Sequence, residues 1–276
     1  MKTVRLPDGT DVPALGQGTW MMAEDPQRRG DEIAALRAGI DLGMTLIDTA
    51  EMYADGESER LVGEAVAGRR DDVFLVSKAY PQNASRSGLP HACEASLERL
   101  GTDRLDLYLL HWRSRVPLGE TVEAMERLVD AGKILRWGVS NLDTGDMEEL
   151  VAAGGKACAT DQILYNLTRR GPEHDLLPWL AARGMPVMAY SPVEQGRLVA
   201  DEGLCSLASE LGVRPTQVAL AWLLARDGAI AIPKAGTVEH VRENRAAADL
   251  ALSPEITARL NAMFPLPSGR VPLAML

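Results

Sequence analysis

Long apolar runs are missing from this 276-residue chain. No segment approaches the ~20 continuous apolar residues of a helical membrane span, so a membrane partner is not expected. The opening stretch MKTVRLPDGTDVPALG likewise lacks the apolar run of a signal peptide, and a cytoplasmic protein is expected. Cysteine is scarce. Cys93, Cys158 and Cys205 are odd in number and far apart, which suits reduced, buried thiols rather than a disulfide framework or a zinc site; no metal is expected. Positive charge is also in deficit. The formal net charge of −10 argues against a nucleic-acid partner, because phosphate binding depends on clustered Lys and Arg. No low-complexity segment, charge block or proline-rich linker divides the chain, so one domain over 1–276 is expected.

What is present is an alternation. After an opening hairpin turning at PDGT, short apolar runs read as strands: ALGQGT, TLIDTA, VFLVSK, LDLYLLH, LRWGVS, ATDQILY, PVMAYS and AIAIPK. Between them lie helical patterns such as GDEIAALRAGIDLG, LPHACEASLERLG, TVEAMERLVDAGK and PTQVALAWLLARDG, with apolar residues at three-and-four spacing. Regular βα alternation implies parallel strands joined by right-handed crossovers, and eight such units close into a (β/α)8 TIM barrel. The proline-punctuated tail FPLPSGRVPLAML is expected to pack over one end as irregular structure.

In this fold the C-terminal ends of the strands share one rim, where active sites sit. Asp48, Lys78, His111, Ser140 with Asn141, Gln162, Tyr190 and Lys234 all fall at such ends. Singly, each is explained by a helix cap or a hydrogen-bonded core residue. Together they are harder to dismiss, since an unpaired buried polar group costs roughly 1–3 kcal/mol. A phenol ionises near ~10 and is a poor proton donor to an alkoxide unless its phenolate is stabilised. A Lys78 ammonium beside Tyr53 would do that, Asp48 would keep Lys78 protonated and oriented, and His111 could donate to a carbonyl oxygen. Such a site has no reductant of its own, so hydride would have to come from a cofactor.

With these residues in place the chain resembles the aldo-keto reductase superfamily. GQGTW, LIDTAEMY, FLVSKAY, LDLYLLHW, GVSN, DQILYN, AYSP and IPKAGTVEHVREN match the family's landmarks in order over essentially the whole chain. Among subgroups it is most similar to bacterial methylglyoxal-reducing members, notably in LIDTAEMYADG and DLLPW. The resemblance implies NADPH-dependent reduction of small aldehydes and ketones, with Asp48, Tyr53, Lys78 and His111 as the catalytic tetrad. It further implies that Tyr190 stacks on the nicotinamide while Ser140, Asn141 and Gln162 hold its carboxamide. Ser191, Pro192 and Val193, with Gln195 and Gly196, would line the pyrophosphate. Lys234 would meet a 2′-phosphate, and Glu243 and Asn244 would lie near the adenine. Gly18, Thr19 and Trp20, together with Ile232, Pro233, Ala235, Gly236, Thr237 and His240, complete the implied cofactor wall. Trp20, Tyr80 and Trp112 match the aromatic walls of the substrate pocket. There is no GxGxxG loop, so the dinucleotide site is not of the Rossmann kind.

Two positions depart from the NADPH-selective pattern. Ala235 stands where many members have Ser, and His240 where they have an Arg whose planar, permanently charged fork clamps the adenosine phosphate. NADP(H) with some NAD(H) use is therefore expected. Asp161 also replaces the Asn often found before Gln162, which bears on the geometry there. Trp137, Trp179 and Trp222 read as core, Arg113 and Arg115 as solvated loop charges, and a monomer is expected. A nicotinamide-binding regulatory subunit is the alternative from another class, although it has no need of all four tetrad groups. A Schiff-base aldolase or phosphate isomerase would leave GVSN, AYSP and IPK unexplained.

Overall fold

A computed structural model describes residues 1–276. After a hairpin of β1 (Thr3–Arg5) and β2 (Asp11–Pro13), eight strands follow: β3 (Gln17–Gly18), β4 (Leu46–Asp48), β5 (Phe74–Ala79), β6 (Leu107–Leu110), β7 (Trp137–Ser140), β8 (Asp161–Leu164), β9 (Val187–Tyr190) and β10 (Ala229–Ala231). The eight lie in one sheet in sequence order, and every adjacent pair is parallel. Parallel bridges Leu15↔Ala231 and Gly18↔Lys234 join its two edges, with Gly16 N donating to Ala231 O at 2.8 Å and Gly18 N to Pro233 O at 3.0 Å. The barrel is thereby closed. Glycine is required at this seam: a Cβ on Gly18 would stand 2.7 Å from the Ile232 carbonyl oxygen.

The strands are short and almost wholly buried, as expected for a parallel sheet covered on both faces. The covering helices are α1 (Arg29–Asp41), α2 (Glu57–Val66), α3 (Gly88–Leu100), α4 (Leu118–Asp130), α5 (Thr144–Ala152), α6 (Leu176–Ala181), α7 (Glu202–Glu210), α8 (Pro215–Leu224), α9 (Val238–Ala246) and α10 (Pro254–Met263). Their stripes follow the helical period. In α4, Leu118, Val122, Met125 and Leu128 face inward, and the chain stops on Gly132 in the left-handed region. Side-chain caps at Asp143, Asp201, Thr237 and Ser253 satisfy the first free N–H groups of α5, α7, α9 and α10. One hydrophobic cluster of 72 residues spans strands and helices, which makes a single cooperative core the natural unit.

The two ends of the barrel are finished differently. The hairpin ties itself to the ends where strands begin: Lys2 Nζ donates to the Leu224 and Arg226 carbonyls, and Arg136 pairs with Asp8 at 2.5 Å. The irregular tail lies at the opposite rim. Arg270 pairs with Asp175 at 2.7 Å, the Pro267 carbonyl bonds His174 Nε2 at 2.7 Å, and the Leu276 backbone reaches the Tyr190 hydroxyl. No helix is long and apolar enough to cross a membrane.

Some local expectations need correction. Cys93 and Cys158 are buried, but Cys205 is only partly covered, because it lies on α7 facing the Val199 carbonyl. Trp137 and Trp222 are core, whereas Trp179 is half-buried under the Arg183 guanidinium, 3.7 Å from its ring. Arg113 is no free loop charge: it is held by Asp146 and by Glu149, the latter at 2.7 Å. Arg115 is exposed.

Candidate active site

The register of the strands puts Asp48 and Lys78 on the same inner face. Asp48 ends β4 opposite Val76, so Lys78, two residues further along β5, projects over it from the same side. Both are buried, and the Lys78 Nζ lies 2.8 Å from Asp48 Oδ2, 2.9 Å from the Thr49 carbonyl and 3.0 Å from the Tyr53 hydroxyl. Tyr53 reaches this point because the chain turns sharply behind it. Ala54, Asp55 and Gly56 all have positive φ before α2 begins, folding the loop back over the barrel mouth. His111, at the end of β6, completes the group with its ring centroid 5.9 Å from that of Tyr53. All four predicted tetrad residues thus converge.

The electrostatics refine the expectation. Burial pulls the Lys78 ammonium down, but Asp48 and Tyr53 outweigh it and leave the group above the ordinary lysine value. Burial likewise dominates Tyr53, whose phenol is raised despite the neighbouring Lys78. In the resting site the phenol therefore keeps its proton tightly. Burial, with help from the Lys78 charge, pushes His111 down to about 2, so its ring is neutral across the physiological range. Its Nδ1 has no hydrogen-bond partner.

Beside the tetrad, the residues expected around a carboxamide form one hydrogen-bonded chain. Gln162 Nε2 donates to Asp48 Oδ1 at 2.7 Å, which ties the barrel floor to the tetrad. Ser140 Oγ donates to the Gln162 carbonyl at 2.7 Å, Asn141 Nδ2 donates to the His111 carbonyl at 3.1 Å, and the Tyr190 hydroxyl donates to Asn141 Oδ1 at 2.9 Å. Burial raises the Tyr190 phenol to about 12. Asp161 points away from this chain. It is fully buried with neither carboxyl oxygen hydrogen-bonded, and desolvation raises it well above the carboxylate range.

From Tyr190 toward the barrel seam the rim continues in an irregular loop. The Ser191–Gly196 loop has positive φ at Ser191, Glu194, Gln195 and Gly196. Its shape is held by Asn166, whose Nδ2 donates to the Ser191 carbonyl at 2.9 Å and to Glu194 Oε2 at 2.8 Å, and by Arg169 on Glu194 at 2.6 Å. Pro192 is buried and Val193 half-buried. Across the seam lie Gly18, Thr19, Ile232, Pro233, Ala235 and Gly236, all buried, and Lys234, Thr237 and His240 toward solvent. Desolvation and then the Arg28 guanidinium lower the Lys234 ammonium. Asn244 is buried, and Glu243 pairs with Arg214 at 3.0 Å. Near the tetrad, Tyr80 and Trp112 meet edge to face at 6.2 Å, with Trp112 stacked obliquely on His111 at 4.8 Å. Trp20 is 39% exposed. The eight non-glycine residues with positive φ all lie in loops that follow β3, β4, β7 and β9, so the strained backbone is confined to this one rim.

Sequence reasoning missed the supports of this site. Thr19, Thr49 and Ser58 form a buried hydroxyl cluster that locks the end of β4 to α2, with Ser58 Oγ donating to Thr19 Oγ1 at 2.9 Å. Glu51 accepts from the Tyr80 backbone at 2.6 Å and from Asn83 at 2.9 Å, fixing the loop that carries Tyr80. Its signal was present: a carboxylate midway between Asp48 and Tyr53. Asn166 ends the DQILYN segment and Glu194 directly precedes Gln195, yet only the fold brings the two together.

Clefts of about 460 Å3 between α5 and the tail, and between α2 and α3, contain none of the tetrad; convergent chemistry rather than cavity size marks the site.

The chain matches known proteins along its whole length. The family described as "Aldo/keto reductase family" matches residues 14–264. It is 52% identical to methylglyoxal reductase YeaE of Escherichia coli, over 99% of each chain. Glyoxal reductase of Bacillus subtilis is 30% identical over 95% of this chain and 92% of the relative. Among solved structures, an aldo/keto reductase from Klebsiella pneumoniae in complex with NADP and acetate superposes with a TM-score of 0.97 at 53% identity, covering 100% of this chain and 99% of the other. With the closed barrel and matches of this extent, the chain belongs to the aldo/keto reductase family.

Proposed function

We propose that this protein reduces small aldehydes and ketones to alcohols with NADPH, methylglyoxal being the substrate best supported. The observation that carries the reading is the buried Lys78 ammonium held simultaneously by Asp48 and the Tyr53 hydroxyl at the mouth of the barrel. The relatives named for methylglyoxal and glyoxal reduction, and the NADP-bound relative, support the choice of substrate and cofactor.

The residues present fit the dinucleotide. An aromatic ring at the end of β9, the Gln162 side-chain amide, a left-handed loop and a lysine without a carboxylate partner lie on the same rim. When bound there, NADP(H) supplies the hydride that the side chains cannot. Tyr190 and Gln162 would hold the nicotinamide end, the Ser191–Gly196 loop the pyrophosphate, and Lys234 the adenosine phosphate.

The chain's own groups handle the proton. Tyr53 donates its hydroxyl proton to the carbonyl oxygen as that oxygen gains negative charge. Lys78, 3.0 Å from the phenol oxygen, stabilises the phenolate as it forms. Asp48 keeps the ammonium charged and aimed. His111, neutral, is suited to donating a hydrogen bond to the same oxygen without competing as an acid. Tyr80 and Trp112 give an apolar wall suited to a compact carbonyl compound. The same reading has residues 1–276 working as one cytoplasmic, monomeric barrel.

The test is consumption of NADPH by purified protein with methylglyoxal and, in parallel, an aromatic aldehyde. Steady turnover is expected with at least one. Tight NADPH binding with no turnover on any carbonyl would instead favour a nicotinamide-sensing role.

A further inference from the structure

Two cations converge beside the barrel seam without an ion-pair partner. Arg28 closes a short turn set by Asp25, whose side chain accepts from Gln27 N, and by Pro26. Its neighbour Arg29 is paired with Glu64 at 2.6 Å and Glu57 at 3.9 Å, while Arg28 forms no ion pair or side-chain hydrogen bond. Lys234, following β10, has none either. Both point at one place: a Cβ built on Gly236 would lie 2.7 Å from Arg28 Nη2 and 3.4 Å from Lys234 Nζ. The two charged nitrogens therefore flank a spot that stays open because residue 236 has no side chain. Glu24 and Glu32 are near enough to influence Lys234, but neither is within ion-pair distance of either cation, and Glu32 is turned to the Ala23 backbone at 2.9 Å.

Like charges held together on an exposed surface repel, and only the more distant Glu24 and Glu32 offset that repulsion in part. An anion seated between them would offset it directly. A guanidinium offers a fork of donors matched to phosphate oxygens, and Lys adds a point charge from the other side. On the cofactor reading above, which sets the adenosine phosphate at Lys234, the anion reaching this spot is that phosphate.

We infer that Arg28 recognises the 2′-phosphate of NADP(H) together with Lys234, supplying from the loop before α1 the guanidinium that His240 does not. This rests on the cofactor reading above and deepens it. Ala235 and His240 alone predict a weak preference; with Arg28, NADPH is strongly favoured over NADH.

The experiment measures dissociation constants for NADPH and NADH by nucleotide fluorescence in the wild type, Arg28→Ala, Arg28→Lys and Arg29→Ala. The ratio of the NADH constant to the NADPH constant is expected to fall at least about ten-fold in Arg28→Ala, the loss of one charge-assisted contact. It should recover in part in Arg28→Lys and stay near the wild-type value in Arg29→Ala, which removes the same charge one residue away. An unchanged ratio in Arg28→Ala, an equal fall in Arg29→Ala, or parallel weakening of both nucleotides would overturn the role of Arg28 while leaving the cofactor assignment intact. Failure of the wild type to bind either nucleotide would overturn both.

Discussion

At the level of single residues, two buried groups make opposite demands on pH. His111 is held neutral down to about 2, so it does not titrate where ordinary histidines do, and Tyr53 holds its proton above the usual phenol range. The rate of carbonyl reduction at saturating substrate should therefore be flat from about pH 5.5 to about pH 8. A pH-rate profile with a step near the ordinary histidine value would contradict the neutral role of His111. Asp161 acts on stability instead. Its folded pKa is raised, so above roughly pH 4, where the unfolded carboxyl ionises, the folded state retains a proton that the unfolded state has lost. Stability is thus present at low pH and is drawn down as pH rises. Asp161→Asn should gain at least about 1 kcal/mol relative to wild type on going from pH ~4 to pH ~8, measured by urea unfolding. A pH-independent difference would mean that Asp161 is not held as the neutral acid. Sequence alone marked Asp161 as a departure; that it faces away from Gln162, toward α5, follows only from the pleat of β8.

At the level of elements, the seam between β3 and the end of β10 both closes the barrel and carries residues expected to face the cofactor. Gly18→Ala would drive a Cβ against the Ile232 carbonyl, a backbone atom that cannot swing aside. Overpacking of this kind costs about 1–3 kcal/mol, and NADPH affinity should fall with it, because Lys234 bridges to the same residue. Chemical denaturation and nucleotide titration of this variant would show both losses; a fully stable Gly18→Ala with native affinity would mean that the seam opens freely. The elements themselves were legible from sequence. Each of the eight apolar runs became a barrel strand, since buried parallel strands carry an unmistakable apolar signature, and polar residues at their ends marked the rim. The loops were not legible in the same way. The left-handed turn behind Tyr53 runs through Ala54, Asp55 and Gly56: Asp-Gly announces a turn, but positive φ at Ala54 goes against local preference and is held by the surrounding barrel. Arg113 shows the same limit: its partners on α5 lie more than thirty residues away in the chain.

For the whole molecule, function rests on an asymmetry between the two ends of the barrel. The hairpin seals one end, whereas the other collects the tetrad, the strained loops and the tail whose last residue lies at Tyr190. Strand-end chemistry and family resemblance singled out Asp48, Tyr53, Lys78 and His111 from sequence, but the coupling of Gln162 to Asp48 and the convergence of Arg28 on Lys234 required the closed ring. Both join residues far apart in sequence with no spacing that announces them. The central claim is that this rim transfers a proton from Tyr53 to a reduced carbonyl, and one substitution tests it with little structural disturbance. In Tyr53→Phe, preloaded with NADPH and mixed with methylglyoxal, nicotinamide absorbance should report a turnover rate reduced by about 10²–10⁴-fold while NADPH affinity stays within about two-fold of wild type. Turnover close to wild type in that variant would contradict the account.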